Sequence, residues 1–398
     1  MRRILLALLL LGGIVPASFA KAWHSETLPE IVAALEAGEV TSVQLVQQYL
    51  ARIERLDRSG PTLNAVLSIN PRALQEAKRL DELRALGQVL GDLHGVPILL
   101  KDNIESRDPL PTTAGSLALK DNQTGVDAPL VSGLRSQGAI VLGKANLSEW
   151  ANFRSQSSMS GWSALGGQTR NPHMLDRNPC GSSSGSGSGV AASLTAAAVG
   201  TETNGSVICP ASVNGIVGFK PTVGLVSSER IVPVAPTQDT AGPMTKSVMG
   251  AAMMLNAMDT VDVNYAKALP ESSLQDVRIG VMRAFQGEDA SIRPMFEKAM
   301  STLEAAGAEL VIITEINPLP SDFLAASFKV LLYEFKDSIN RYLPNTTSAT
   351  KSLADLIAFN QKTEREMALF DQSIFLLAND MAGLKSDGYK DARALTFK

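Results

Sequence analysis

Apolar residues recur at Leu45, Val46, Tyr49, Leu50, Ile53 and Leu56, a spacing of three and four that gathers them on one side of an α-helix. Thr41 and Gln44 open that helix in capping-box form, and Thr27 and Glu30 open an earlier one, because these side chains satisfy N–H groups left free in a first turn. A short strand follows at residues 65–69 and a charged helix at 72–86. Residues 96–100 are apolar and stop abruptly at Lys101, Asp102 and Asn103. Next come a helix at 130–137 and a buried strand at 139–142. A Gly/Ser/Asn-rich stretch fills 155–189, and the small apolar residues 190–199 predict a tightly packed buried helix. Strands at 277–281 and 309–313 flank a helix over 291–305. Strands alternating with helices predict an α/β fold around a mostly buried sheet.

The N-terminus has a separate character. Arg2 and Arg3 precede an apolar run over 4–15, then Pro16 and a small-x-small end at Ser18, Phe19 and Ala20. This is the pattern of a secretory signal peptide cleaved after Ala20, and the run is shorter than the roughly 20 residues that span a bilayer. Residues 1–20 are therefore expected to be a leader, and 21–398 an exported domain, periplasmic or secreted, free of the membrane after cleavage.

Composition narrows the chemistry. A chain that is 45% hydrophobic has ample material for a large core. Its net charge of −4, without a basic stripe, argues against nucleic acid as a partner. The three histidines, His24, His94 and His173, leave little for a metal site or a histidine-driven hydrolase, and no metal or organic cofactor is indicated. Cys180 and Cys209 leave a disulfide open in an oxidising compartment, but small residues packing around a crowded site are the simpler reading.

The segment from Cys180 to Gly189, CGSSSGSGSG, has several readings. A flexible linker is one, yet the tract runs straight into apolar sequence. A dinucleotide fingerprint at Gly187, Gly189 and Ala192 lacks the strand that should precede it, and no phosphate-loop lysine follows. A nucleophile elbow at Gly181–Gly185, with Ser183 as nucleophile, needs a histidine downstream, whereas the last histidine, His173, lies upstream. What remains is a serine hydrolase whose base is a lysine kept neutral by burial. Lys101, ending an apolar run, is the best candidate; the blander reading of any one such lysine is a strand-end charge facing water.

These blocks resemble the amidase signature family. Gly181-Ser-Ser-Ser-Gly185, Gly200-Thr-Glu-Thr-Asn-Gly-Ser206, Pro210-Ala211 and Gly215-x-x-Gly-Phe-Lys-Pro-Thr222 match its central pattern. His94-Gly-Val-Pro-Ile-Leu-Leu-Lys101-Asp-Asn103 matches the segment carrying its catalytic lysine, and Gly143–Glu149 the segment after that. The likeness is closest to bacterial peptide amidases, through residues 149–154, 166–172, 200–206 and 353–360. The resemblance implies the family fold, a large mixed β-sheet covered by helices on both faces. It also implies cleavage of C–N amide bonds in linear amides, with peptide C-terminal amides as the favoured substrate. Ser206 aligns with the nucleophile, Ser182 with a bridging serine on a cis peptide bond, Lys101 with the base, and the backbone N–H groups of Thr203, Asn204, Gly205 and Ser206 with the oxyanion hole.

The sequence departs from the pattern at Ile208, where Arg is frequent, at Asn204, where Gly is common, and at Glu202, where Asp is usual. Family members also continue beyond the position matching Lys398, so a C-terminally incomplete domain is expected, with an unpaired sheet edge. Two alternatives stand beside a peptide amidase: a general aliphatic or aryl amidase of the same family, and a catalytically inactive truncated member. The amide-hydrolysing component of a tRNA-dependent amidotransferase fits poorly with export.

Overall fold

A computed structural model of the chain describes residues 21–259, 261, 263–269, 273–315 and 318–396. The expected leader, residues 1–20, lies outside them. The two capping boxes start the first two helices as expected: Thr27 caps α1 (Leu28–Glu36) and Thr41 caps α2 (Ser42–Ile53). The charged helix is α3 (Ala73–Ala85), and the helix expected at 130–137 is α4 (Pro129–Ser136).

The strands are β1 (Val66–Ile69), β2 (Pro97–Lys101), β3 (Ile140–Ala145), β4 (Trp162–Ser163), β5 (Gly167–Gln168), β6 (Ala197–Glu202), β7 (Val217–Gly218), β8 (Thr240–Thr245), β9 (Arg278–Val281) and β10 (Glu309–Ile312). Six of them form one mixed sheet in the order β1-β3-β2-β6-β8-β7. The central trio β3, β2 and β6 is parallel, while β1, β8 and β7 join antiparallel. Every residue of β2, β3, β6 and β8 is buried. Successive side chains of a strand point to opposite faces, so both faces of this sheet are covered. The helix α5 (Ser184–Ala191) lies against β2, β3, β6 and β8, the short α6 (Ile208–Val213) follows β6, and α7 (Val248–Met258), followed by α8 (Tyr265–Ala268), packs on β7, β8, α1 and α4.

The buried helix expected over 190–199 is a correction. Only its first residues belong to α5; a turn follows, and β6 begins at Ala197. Runs of Ala, Ser and Gly carry no apolar periodicity, and their small size suits a central strand overlaid closely by a helix. Gly185 shows how close: a Cβ there would lie 2.2 Å from the Ala65 carbonyl oxygen and 2.5 Å from that of Asn146. The strands at 278–281 and 309–312 form as expected but pair only with each other, in a separate parallel ribbon flanking α9 (Arg293–Ala305).

A second apolar cluster forms beside the sheet. Phe335 and Ile339 of α10 (Phe323–Tyr342), Leu353 and Leu356 of α11 (Leu353–Gln361), and Phe375 of α12 (Ser373–Asn379) pack against Trp150, Phe153, Val232 and Val234. This cluster brings α10 over the C-terminal ends of β2 and β6, where a cavity opens.

Candidate active site

Lys101 is the last residue of β2 and is fully buried, as the apolar run before it requires. Its Nζ stands 2.7 Å from Ser182 Oγ, 2.8 Å from Thr201 Oγ1 and 3.1 Å from the Thr201 carbonyl oxygen. Burial pushes its pKa down to about 7, and the carboxylates of Asp239 and Glu202 pull it partly back up. Asn103 donates to Thr201 Oγ1 from Nδ2 at 2.9 Å, fixing the hydroxyl that faces the lysine.

Ser182 lies just before α5, and its peptide bond to Gly181 is cis. Its carbonyl oxygen accepts from the Ser148 N–H at 3.0 Å, while the next N–H, of Ser183, donates to the Ser206 carbonyl oxygen at 3.1 Å. Ser183 turns away from the cavity: its hydroxyl donates to the Thr201 carbonyl oxygen at 3.1 Å. This arrangement agrees with setting Ser183 aside as an elbow nucleophile.

Ser206 follows β6 by four residues and lines the same cavity as Ser182, Thr201 and Thr203. Among the described residues its hydroxyl has no hydrogen-bond partner, although the residue is only 8% exposed. The turn between β6 and Ser206 is shaped by the Glu202 carboxylate. It accepts the N–H groups of Gly205 at 2.8 Å, Val207 at 2.7 Å and Ile208 at 3.0 Å. Gly205 has φ +84° with open space where a Cβ would stand, so glycine is needed there for backbone conformation. Of the four N–H groups expected as oxyanion donors, that of Gly205 is therefore already engaged. Those of Thr203, Asn204 and Ser206 have no protein acceptor among the described residues.

The cavity has a volume of ≈ 320 Å³. Its far wall is built by residues 228–236 and by Ser338, Arg341 and Tyr342 of α10. Asp239 joins that wall to the Ser206 turn. One carboxylate oxygen accepts from Thr203 Oγ1 at 2.6 Å, and the other accepts the N–H groups of Val234 and Ala235 at 2.9 and 2.8 Å. Burial pushes the Asp239 pKa up to about 6. The sequence alone singles out neither Thr201, Asp239 nor the wall residues; Glu202 stands out there only as a replacement for Asp, and that departure is the available signal.

The cysteines correct the simpler sequence reading. Cys180 and Cys209 are not separate packing residues but a disulfide, with Cα atoms 5.9 Å apart. The bond becomes legible only once folding brings the Cys180 segment against the short helix bearing Cys209.

The Amidase family profile matches residues 44–390. The match reaches close to the C-terminal end, so it lends no support to the expected loss of a C-terminal part. An Arabidopsis thaliana protein named probable amidase is 39% identical over 392 residues, covering 93% of this chain and 74% of that protein. An amidase family protein from Bacillus anthracis superposes with a TM-score of 0.87 at 35% identity, over 95% of this chain and 77% of that chain. The native peptide amidase structure from Stenotrophomonas maltophilia superposes with a TM-score of 0.86 at 45% identity, over 93% of this chain and 78% of that chain. The mixed sheet with its covering helices is the fold of that structure. The chain belongs to the amidase family of amide-hydrolysing enzymes.

Proposed function

We propose that this amidase acts through an acyl-enzyme, with Ser206 as nucleophile, Ser182 as proton relay and Lys101 as base, on C-terminal amides of peptides. The observation that carries the reading is the fully buried Lys101 Nζ placed 2.7 Å from Ser182 Oγ, where burial pushes the pKa down to about 7. A neutral amine has two N–H donors and one lone pair. It satisfies both by donating to the two Thr201 oxygens and accepting the Ser182 hydroxyl proton.

The mechanism follows from that arrangement. Ser206 Oγ closes on Ser182 Oγ as substrate binds and attacks the amide carbonyl; its proton passes to Ser182 Oγ, and the Ser182 proton passes to Lys101 Nζ. The N–H groups of Thr203, Asn204 and Ser206 are the free donors for the oxyanion that forms. The Lys101 ammonium then returns the proton through Ser182 to the leaving nitrogen, which departs as ammonia. Water enters by the same relay and cleaves the ester, releasing the carboxylate.

The peptide-amide preference rests on the likeness to the Stenotrophomonas maltophilia enzyme and on a cavity with room for more than a small aliphatic amide. Ammonia release from a peptide amide by the purified protein, beside its Ser206→Ala variant, tests the whole reading. Release by the wild type alone supports it. Equal release by both removes Ser206 from the role, and release only from short aliphatic amides replaces the substrate class. Export is a companion proposal from residues 1–20, and a mature protein beginning at Lys21 is its expected signature.

A further inference from the structure

We propose that the Cys180–Cys209 disulfide is a positioning cross-link of this site. It holds the segment bearing Ser182 against the segment bearing Ser206, and opening it slows acylation while the fold persists. The inference rests on the serine roles proposed above.

Cys180 lies two residues before Ser182, and Cys209 three residues after Ser206. The next tie between the two segments is the Ser183 N–H donating to the Ser206 carbonyl oxygen at 3.1 Å. From one tie to the other the chain steps three residues forward on the first segment and three back on the second. The segments therefore run antiparallel past each other, with Ser182 enclosed between the two ties. The loop closed by the bridge contains α5 and β6, which are anchored in the core. Cys180 lies outside regular structure, before α5, and Cys209 sits in the first turn of the short helix α6 (Ile208–Val213), which follows the Ser206 turn. The spacing of the two segments depends on such ties.

Other bonds to Cys180 are local. Its N–H donates to Asn178 Oδ1 at 2.7 Å, and its carbonyl oxygen accepts from Ser184 Oγ at 2.6 Å. These shape the Cys180 segment without placing it against residues 203–209. Two neutral hydrogen bonds reach beyond the segment at that end: Asn214 Nδ2 donates to the Pro179 carbonyl oxygen at 3.0 Å, and Asn178 Nδ2 donates to the Ser160 carbonyl oxygen at 3.1 Å, of which only the first leads towards the Ser206 side. Proton relay and attack require aligned groups, and a displacement of about 1 Å costs on the order of a hundredfold in rate. The pKa of Lys101 depends chiefly on its burial in β2, away from the bridge. Opening the bridge therefore lowers the rate without moving the pH at which the base is freed.

Both cysteines are half-buried, within reach of a small dithiol. Dithiothreitol gives up two hydrogens and becomes its cyclic disulfide; the S–S bond breaks, and Cys180 and Cys209 each gain one hydrogen. The test compares oxidised protein, protein reduced with dithiothreitol, and the variants Cys180→Ser/Cys209→Ser and Cys180→Ala/Cys209→Ala. The readouts are kcat and KM on a peptide amide, the rate of fluorophosphonate labelling, the pH midpoint of activity and the melting transition. The expected result is a fall of about ten- to a hundredfold in kcat and labelling rate, with KM and the pH midpoint little changed. A cooperative melting transition is retained, and reoxidation restores only the wild type. Full kcat in folded reduced protein overturns the proposal. So does loss of the melting transition together with activity in reduced wild type, which makes the bridge a staple of the fold. If the variants fail to fold, the reduced wild type decides alone. Ser206→Ala runs in parallel: turnover there overturns the underlying serine assignment, whereas an inert Ser206→Ala beside fully active reduced enzyme overturns only the cross-link.

Discussion

Lys101 Nζ and Ser182 Oγ stand 2.7 Å apart in a place where neither residue is exposed to solvent. The contact joins the end of a central strand to the turn that precedes α5, and it governs how the site responds to pH. Only the neutral amine accepts a proton. Activity is therefore expected to rise with pH through about 7, the value to which burial lowers Lys101, and to fall below it. A pH profile of kcat/KM checks this. A midpoint near the ordinary lysine value of about 10.4 would remove Lys101 as the base.

The same depressed pKa makes Lys101 a burden on folding. Below the ordinary lysine value the unfolded chain binds this proton more readily than the folded one. The penalty grows as pH falls towards about 7 and is constant below it. Lys101→Met is expected to lower turnover by about 10³-fold or more while the urea midpoint at pH 7 holds or rises. A variant that is inactive because it has unfolded would contradict this.

Ser206 and Ser182 are expected to differ in kind. Ser206→Ala removes the atom that becomes acylated and should lower kcat by roughly 10⁴-fold or more, with no fluorophosphonate labelling. Ser182→Ala removes a relay, so slow labelling of Ser206 should persist. Equal labelling rates in Ser182→Ala and wild type would take Ser182 out of the proton path.

Glu202 makes the turn around Ser206, and its carboxylate accepts three backbone N–H groups with both oxygens. Glu202→Gln places an amide N–H₂ where an acceptor is needed, leaving buried donors unpaired at about 1–3 kcal/mol. The free N–H groups beside Ser206 are set by that turn, so kcat should fall by about a hundredfold while KM moves little. Steady-state kinetics on the folded variant decide. A loss confined to KM would mean that Glu202 acts on substrate binding and not on the turn.

Much of this architecture was legible because it is written locally. The capping boxes at Thr27 and Thr41 name their helices, and the apolar run ending at Lys101 names a buried strand with a buried amine at its end. Ser182 and Ser206 stood out only through the family resemblance, and the structure sets both on one cavity. What escaped depends on distant parts of the chain meeting. The Cys180–Cys209 bond, the wall formed by residues 228–236 with α10, and the link from Asp239 to Thr203 leave no periodic trace. The strand β6 escaped for another reason: Ala, Gly and Ser fit a crowded central strand and a packed helix equally well, and neighbouring strands decided between them.

Arg154 is another residue whose role appears only in three dimensions. It is fully buried between two carboxylates, with Nη1 3.1 Å from Glu149 Oε1 and 3.2 Å from Glu366 Oε2, and its guanidinium lies over the Phe370 ring. It joins the 149–154 segment to the chain after α11 beside a small apolar cluster of Trp162, Ala164 and Phe370. Burial, and then the neighbouring Glu366 charge, hold the Glu149 carboxyl well above the usual range. Arg154→Met leaves two buried carboxylates without their cation, at a cost of about 3–5 kcal/mol in unfolding free energy. The Glu149 carboxyl, raised in the folded state, takes up its proton as pH falls, and folding gains relative stability wherever the folded chain binds that extra proton. The destabilisation of Arg154→Met should therefore be larger at pH 8 than at pH 5, as read from urea midpoints. Adding Glu149→Gln and Glu366→Gln to Arg154→Met removes both charges and should recover part of the loss at pH 8. A triple variant no more stable than Arg154→Met at that pH would mean that Arg154 acts through packing on Phe370 and not through the carboxylates it separates.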